Sequence, residues 1–247
     1  MMSFFNKLTG RSDKGPPKRV LTSDMHAHFL PGIDDGASSM EESLFLIKKL
    51  MDCGYTKLVA TPHVMNDFFK NTPEIIYSKL FEVKEAVVAE GWDIEIEAAA
   101  EYYLDEWFMG MLQNNNPLLT FGDRYLLFET SFINQPAQLH EAIFLMQSLS
   151  YKPVLAHPER YVYFQDNFEK CAELYRNGVL LQININSLSG YYSTPAQLLA
   201  EKLIDKKMVH FAGTDCHALK HVKALELSRT KKYYTKLLDS ELLNYAL

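Results

Sequence analysis

Val20-Leu21 leads through Thr22-Ser23 into Asp24-Met25-His26-Ala27-His28, an apolar start that ends in two imidazoles one residue apart. The pattern repeats down the chain. Thr61-Pro62-His63 follows Leu58-Val59-Ala60, Glu101 follows the run from Ile94 to Ala100, and Glu129 follows Tyr125-Leu126-Leu127-Phe128. His157 follows Val154-Leu155-Ala156, and Asp215-Cys216-His217 follows Val209-His210-Phe211-Ala212-Gly213. Each apolar run is short and rich in branched residues, as a strand buried on both faces is. Histidines and carboxylates at the ends of many strands are the ligand types of a metal centre at the mouth of a barrel, which points to metal-assisted hydrolysis.

Between these runs the periodicity switches to that of helices. Ser39-Met40-Glu41-Glu42 has capping-box spacing, Leu44, Ile47, Leu50 and Met51 recur on one face, and Gly54 ends the helix. Thr72-Pro73-Glu74 opens a second helix that Gly91 closes. Further helices are expected over 136–149, 168–177 and 195–206, and 221–247 reads as helical with mixed charge. Strand starts at Val20, Lys57, Asp93, Tyr125, Lys152, Leu180 and Val209 make seven strand–helix units in an α/β fold. Ligand candidates after nearly every strand favour a barrel over an open sheet, which uses chiefly one crevice. The stretch 102–124, with Asn114-Asn115-Asn116-Pro117, is expected to insert a loop near the site.

With 247 residues, 47% of them hydrophobic, the chain can bury a full core. Residues 1–19 read as a flexible tail with Gly15-Pro16-Pro17 as linker, or as a docking segment using Phe4 and Phe5, and 20–247 as one domain. The tail lacks a sustained apolar signal region, and no stretch is long and apolar enough to span a bilayer, so a cytoplasmic protein is expected. A net charge of -6 argues against a nucleic-acid partner. Cys53, Cys171 and Cys216 show no paired spacing, so no disulfide framework is expected.

Taken singly, each polar residue has an ordinary explanation: a core histidine, a salt bridge, or an Asp-Gly turn at Pro31-Gly32-Ile33-Asp34-Asp35-Gly36, where only one acid need be a ligand. Asp24 is placed to orient one imidazole from behind. A carboxylate that ends an apolar run, as Glu101 and Glu129 do, demands a cation if it is buried. His157-Pro158-Glu159-Arg160-Tyr161 sets a cation beside a histidine. His140, His210 and His221 read as structural or surface residues. Five of eight histidines and four acids at one face of one fold exceed what chance placement explains.

In this order the motifs resemble the PHP (polymerase and histidinol phosphatase) superfamily. Leu30-Pro31-Gly32-Ile33-Asp34-Asp35-Gly36-Ala37, His157-Pro158-Glu159-Arg160-Tyr161 and Gly213-Thr214-Asp215-Cys216-His217 are similar to the bacterial protein-tyrosine phosphatases of capsule and exopolysaccharide operons. The resemblance covers about Val20 to Lys220. It implies a distorted seven-stranded β/α barrel with three divalent metal ions, manganese when active, with Fe, Zn, Co or Mg as alternatives. The implied ligands are His26, His28, Asp35 rather than Asp34, His63, Glu101, Glu129, His157, Asp215 and His217. Arg160 matches the arginine that holds the phosphoryl group and, with Asp215 and His217, is the implied catalytic set. The family's second phosphate-binding cation is absent from Ala218-Leu219-Lys220-His221, with Lys220 as a stand-in. Tyr102 and Tyr103, with Phe68 and Phe69, are candidates to pack the substrate ring, against the alternative of loop core. The implied reaction is hydrolysis of phosphotyrosine by a metal-bound hydroxide. The implied partner is a bacterial tyrosine kinase, which would place the protein near the inner face of the membrane.

Rival chemistries fit less well. A cysteine-nucleophile phosphatase needs five residues between Cys and Arg; Cys53 and Cys216 have no such arginine, and Cys171 reaches Arg176 one residue early. A nuclease would carry a basic groove. An amidohydrolase would use a strand-end lysine in place of Glu101 and Glu129, and a catalytically dead module would not need the full ligand set. A small-molecule phosphatase of the histidinol-phosphatase type would share the same centre and remains the alternative.

Overall fold

Every strand pairing in the two sheets of the computed structural model, which describes residues 19–247, is parallel. The strands are β1 (Ser23–Ala27), β2 (Lys57–Ala60), β3 (His63–Val64), β4 (Glu95–Ala98), β5 (Glu101–Tyr103), β6 (Tyr125–Glu129), β7 (Lys152–Ala156), β8 (Leu180–Asn184) and β9 (Phe211–Gly213). One sheet runs β1-β2-β4 and the other β3-β5-β6-β7-β8-β9. Two of the breaks between strands are local. Pro62 has no N–H to give to a ladder, so it separates β2 from β3, yet its carbonyl still accepts from the Glu101 N–H at 3.0 Å. Ala99 likewise donates to the Ala60 carbonyl at 2.8 Å across the gap between β4 and β5. Past β9 the chain turns back onto β1: the Asp215 N–H donates to His26 O at 2.8 Å and the His28 N–H to Cys216 O at 3.0 Å.

The helices are α1 (Met40–Asp52), α2 (Pro73–Ala89), α3 (Glu106–Gln113), α4 (Leu139–Ser148), α5 (Val162–Asp166), α6 (Phe168–Arg176), α7 (Thr194–Asp205), α8 (Leu219–Arg229) and α9 (Lys232–Leu238). Ser39, Thr72, Asp105 and Ser193 each accept a first-turn backbone N–H with their side chains, a contact worth about 1 kcal/mol per cap. The helix expected from Pro136 starts only at Leu139, because residues 137 and 138 form a turn. The C-terminal segment is not one helix but α8, α9 and a 3-10 turn over Leu243–Ala246. The expectation of a loop near the site over 102–124 is also corrected. Asp105 caps α3, which packs on α4, and Phe121 returns to the far end of the strands beside Tyr125. The proposed tail, its Gly15-Pro16-Pro17 linker and the Phe4–Phe5 docking segment lie outside the described residues.

The core has two parts. A large cluster includes residues of both strands and helices, and a smaller one of Met25, Val59, Ala99, Phe121, Leu127, Val154, Ala156 and Phe211 is drawn mostly from the strands. Phe211 meets Phe121 and Tyr125 edge-on at 5.4 and 5.0 Å, geometries aromatic pairs favour. Among the described residues no helix is long and apolar enough to cross a membrane.

Candidate metal centre

A bulge in β1 sets the geometry. Asp24 pairs with Leu58 and Ala27 with Ala60, so three steps on β1 match two on β2. Met25 can then join the smaller apolar cluster while its neighbour His26 joins a polar centre next to it. Gly36 fixes the loop after β1, since a Cβ there would stand 2.0 Å from the His28 carbonyl oxygen. That close approach turns Asp34 and Asp35 back over the strand end. Gly213 serves similarly, where a Cβ would come 2.7 Å from the Cβ of His26. His157 and Asp215 leave their strands with φ of +35° and +51°. Left-handed backbone at non-glycine residues costs on the order of 1 kcal/mol or more and tends to collect at functional sites.

All nine side chains expected as ligands converge here. Three overlapping groups offer ligand atoms within 4.8 Å of one another: His28, Asp35, His63 and His217; His26, His28, Glu101 and Asp215; and His63, Glu101 and Glu129. His157 adjoins them, its Nε2 3.0 Å from Glu101 Oε1 and 3.8 Å from Glu129 Oε2. Glu101 lies at the middle, fully buried, with contacts at 3.0–3.4 Å to His26, His28, His63 and His157.

The imidazoles are set from behind. His26 Nδ1 donates to Gln182 Oε1 at 3.0 Å, His28 Nδ1 to Asp34 Oδ2 at 2.8 Å, and His217 Nδ1 to the Asp215 carbonyl at 3.0 Å. With Nδ1 committed to an acceptor, each ring turns an Nε2 lone pair inward, the arrangement of metal-binding histidines. The inward atoms face carboxylates: His26 and His28 Nε2 both lie 3.5 Å from Asp215 Oδ1. Among the described residues, buried His28 Nε2 and His63 Nδ1 have no hydrogen-bond partner although carboxylate oxygens stand within 3.5 Å. A lone pair facing a carboxylate is repulsive unless a cation or proton lies between them, so the donor set fits divalent metal. Without metal, protons take that role. Burial disfavours the His26 and His63 imidazolium ions, but Glu101 with Asp215, and Glu101 with Glu129, outweigh it and raise them to about 9 and about 10. Asp215 is opposed by burial yet held well below the carboxylate range by His26, His217 and Arg160.

The two acids of the Asp-Asp-Gly turn divide the work. Asp34 accepts from His28, from the Gly36 N–H at 2.9 Å and from the His63 N–H at 3.2 Å, which leaves it behind the ligands. Asp35 is exposed at the rim, its Oδ1 3.3 Å from His217 Nε2 and 3.6 Å from His63 Nε2. Asp24 does not orient an imidazole. Thr214 donates to it from N at 3.0 Å and Oγ1 at 2.5 Å, so it fastens β1 to the segment after β9. Burial pushes its carboxyl up to about 6 against those hydrogen bonds.

Arg160 Nη1 donates to Asp215 Oδ2 at 2.9 Å, opposite the oxygen that faces the histidines. A 250 Å³ cleft adjoins it, walled by Met65, Phe69 and Phe132, with His63, Glu129 and His157 also lining it. A second hollow of 220 Å³ beyond Arg160 is lined by Tyr192, Lys220 and His221. Lys220 therefore borders the centre. Tyr102 does not: its ring stacks on Phe108 at 5.0 Å and its hydroxyl accepts the Leu119 N–H at 2.9 Å inside the core. Successive strand residues point to opposite faces, so only Tyr103, paired in register with Glu129, is left near the rim. Phe69 stacks over His63 at 5.7 Å, while Phe68 is exposed. His221, read as structural or surface, accepts the His217 and Ala218 N–H groups at 2.9 and 3.2 Å and props the last ligand loop. Gln182, Asn184, Phe132 and Tyr192 were not anticipated. All three cysteines are free and buried, and burial pushes the Cys171 thiol up to about 12, the opposite of what an activated nucleophile needs.

Fold and site together define an α/β protein whose parallel strands end in a histidine–carboxylate centre suited to metal. The chain matches the family described as "Capsular polysaccharide synthesis, CpsB/CapC" over residues 22–245, and it belongs to that family. It is 29% identical over 225 residues to CapC of Staphylococcus aureus (90% of this chain, 88% of that one). It is 26% identical over 201 residues to tyrosine-protein phosphatase YwqE of Bacillus subtilis (80% and 78%). A solved structure described with YwqE from Bacillus subtilis and CpsB from Streptococcus pneumoniae as "unique metal-dependent tyrosine phosphatases" superposes with a TM-score of 0.75 at 25% identity, covering 89% of this chain and 95% of that one. An amidohydrolase from Mycoplasma synoviae shares the fold alone, with a TM-score of 0.51 at 13% identity over 90% of this chain and 86% of the other.

Proposed function

We propose that this chain is a metal-dependent protein-tyrosine phosphatase acting on a bacterial tyrosine kinase that controls capsule or exopolysaccharide synthesis. The observation that carries the reading is the cleft between Phe69 and Phe132, with the ligand groups along its lining and Arg160 bound to the Asp215 carboxylate at its edge. Family membership supports it, as do relatives named tyrosine-protein phosphatases. We read the two sheets as one distorted barrel of seven passes, with β2–β3 and β4–β5 each a single interrupted pass, and 20–247 as one domain. The site holds three divalent ions, manganese in the active form. They would be shared out among three overlapping ligand groups, His28, Asp35, His63 and His217; His26, His28, Glu101 and Asp215; and His63, Glu101 and Glu129, with His157 adjoining and each imidazole serving one ion. The protein works in the cytoplasm, near the membrane where its kinase partner is held.

Divalent ions in these positions supply Lewis-acid polarisation of phosphoryl oxygens and lower the pKa of water. The chain's residues do the rest. Arg160 offers charge-assisted hydrogen bonds to the phosphoryl oxygens, with Lys220 as a second cation across the hollow. Phe69 and Phe132 hold the tyrosine ring on the open side, with Tyr103 at the rim. Gln182 and Asp34 keep the imidazoles in the tautomer that binds metal. Phenolate is a good leaving group, so no strong general acid is required.

The test compares phosphate release from a phosphotyrosyl peptide and from histidinol phosphate, after stripping with chelator and resupply of manganese. Restored turnover of the peptide with little on histidinol phosphate supports the reading. The reverse preference replaces it with a small-molecule phosphatase on the same centre, and no restored turnover of either refutes both.

A further inference from the structure

We propose that Phe132 and Tyr192 form an aromatic clamp that positions the Arg160 guanidinium for the phosphoryl group. The inference rests on the role given to Arg160 in the phosphatase reading and adds two positioning residues to it. Three successive strand-end segments meet at this point. Phe132 comes from the loop after β6, Arg160 ends the 3-10 turn over Pro158–Arg160 after β7, and Tyr192 follows the 3-10 turn over Ile185–Ser189 after β8. The guanidinium carbon lies 4.5 Å from the centroid of Phe132 and 4.3 Å from that of Tyr192, so the cation is within contact of two aromatic rings.

A clamp of this kind answers a mechanical problem. Among the described residues the guanidinium makes one protein hydrogen bond, from Nη1 to Asp215 Oδ2. One such bond leaves a long side chain free to swing. Aromatic faces attract a guanidinium through their quadrupoles and stack with its plane, and both effects grow as water is excluded. Phe132 is 37% exposed, so core packing is a poor account of its place beside a charged centre. It also stacks on His157 at 5.5 Å, which links the clamp to the ligands.

Tyr192 is itself tied down. Its hydroxyl accepts from Asn184 Nδ2 at 3.2 Å and donates to Asp215 Oδ2 at 3.4 Å. Asn184 Nδ2 also donates to Asp215 Oδ2 at 2.6 Å. One oxygen of Asp215 thus gathers Arg160, Asn184 and Tyr192 while the other faces His26, His28 and His217. Arg160 is thereby held at a fixed place relative to the ligand groups, as a group that must meet the phosphoryl oxygens has to be.

The experiment is a double-mutant cycle on the manganese-loaded full chain. It reads inorganic phosphate affinity by calorimetry, kcat and KM on a phosphotyrosyl peptide, and metal content by elemental analysis. Phe132→Leu and Tyr192→Leu are each expected to weaken phosphate binding by about tenfold with metal content unchanged, the scale of losing one desolvated cation–π contact. Tyr192→Phe keeps the ring face and is expected to recover most of that loss. In an Arg160→Ala background Phe132→Leu should have little further effect on phosphate affinity, because the clamp acts through Arg160. An equal loss in that background, or unaltered phosphate affinity in metal-replete Phe132→Leu protein, overturns the clamp. Phe132 is partly exposed, so its variant decides the matter even if Tyr192→Leu fails to fold. Wild-type protein that neither binds phosphate nor turns over the peptide overturns the phosphatase reading instead.

Discussion

Two regions of the parallel strands are built from opposite materials. Along the strands Met25, Val59, Ala99, Phe121, Leu127, Val154, Ala156 and Phe211 pack into an apolar plug that holds no charge. At their ends His26, His28, Glu101, Glu129, His157 and Asp215 are nearly as buried as that plug, and every one is an imidazole or a carboxyl group. The plug gains by removing apolar surface from water, roughly 25 cal/mol per Å². The polar end loses by the same burial and recovers only if a cation lies among its carboxylates. The plug is therefore a device for stability, and the polar end carries an electrostatic cost that a bound cation would offset. The positive φ of His157 and Asp215 falls at the polar end.

The largest effect should come from breaking the polar end. Glu101→Ala leaves four histidines without their shared carboxylate. Turnover of a phosphotyrosyl peptide should fall by about 10³-fold or more, the scale of losing a preorganised charge partner in a dry site. Far-UV circular dichroism should be unchanged. An active Glu101→Ala protein would mean that the centre is not where the chemistry happens.

Breaking the plug should do the reverse. Phe211→Ala removes a fully buried ring that packs edge-on against both Phe121 and Tyr125. Such changes cost about 3–5 kcal/mol, which denaturant unfolding of the metal-loaded protein would register. The surviving folded fraction should keep its kcat and its metal content. A large fall in kcat at full metal content would show that the two regions are mechanically coupled.

How much of this contrast could be read from the chain depends on which atoms carry it. Each strand-end candidate is a single polar residue set against an apolar run, so His26, His63, Glu101, Glu129 and His157 are visible in the sequence. Asp35 could be told from Asp34 only by resemblance, and the structure places it at the rim, 3.3 Å from His217 Nε2 and 3.6 Å from His63 Nε2. Gln182 was not legible, because an amide inside Leu180–Asn184 looks like any hydrogen-bonded core residue. Its role needs a ring that lies 156 residues away. Asp24 was misplaced for a related reason. The bulge in β1 shifts which residues share a face, and no periodicity in five residues reveals a bulge. Tyr102 and Tyr103 are adjacent, so strand alternation allows only one of them near the rim, and the stretch after them became α3 once Asp105 supplied a cap. Phe132 and Tyr192 matter through Arg160, and that meeting of three loops has no sequence signature.

Gln182 offers a smaller, sharper test of the polar end. Gln182→Ala removes the acceptor that fixes the His26 tautomer and leaves every ligand in place. Metal affinity should fall by about 10–100-fold, the usual effect of losing such a partner, and excess manganese should restore most of the activity. Failure of excess metal to restore activity would place Gln182 in the chemistry itself.

The smallest expected effect is also the most specific to the contrast. Without metal, protons hold the polar end together, since His26 and His63 are raised from an ordinary 6.5 to about 9 and about 10. A raised imidazole contributes stability that is complete below 6.5 and is lost as the pH climbs through its folded value. Metal-free protein should therefore melt at progressively lower temperature from pH 6.5 towards about 9. Metal binding displaces these protons, so it strengthens over the same range. The gap in melting temperature between manganese-loaded and metal-free protein should widen as pH rises. The plug titrates nowhere in this window, so Phe211→Ala should lower both curves and leave the widening intact. A gap that stays constant or narrows would mean that the histidines do not hold protons where the metal belongs.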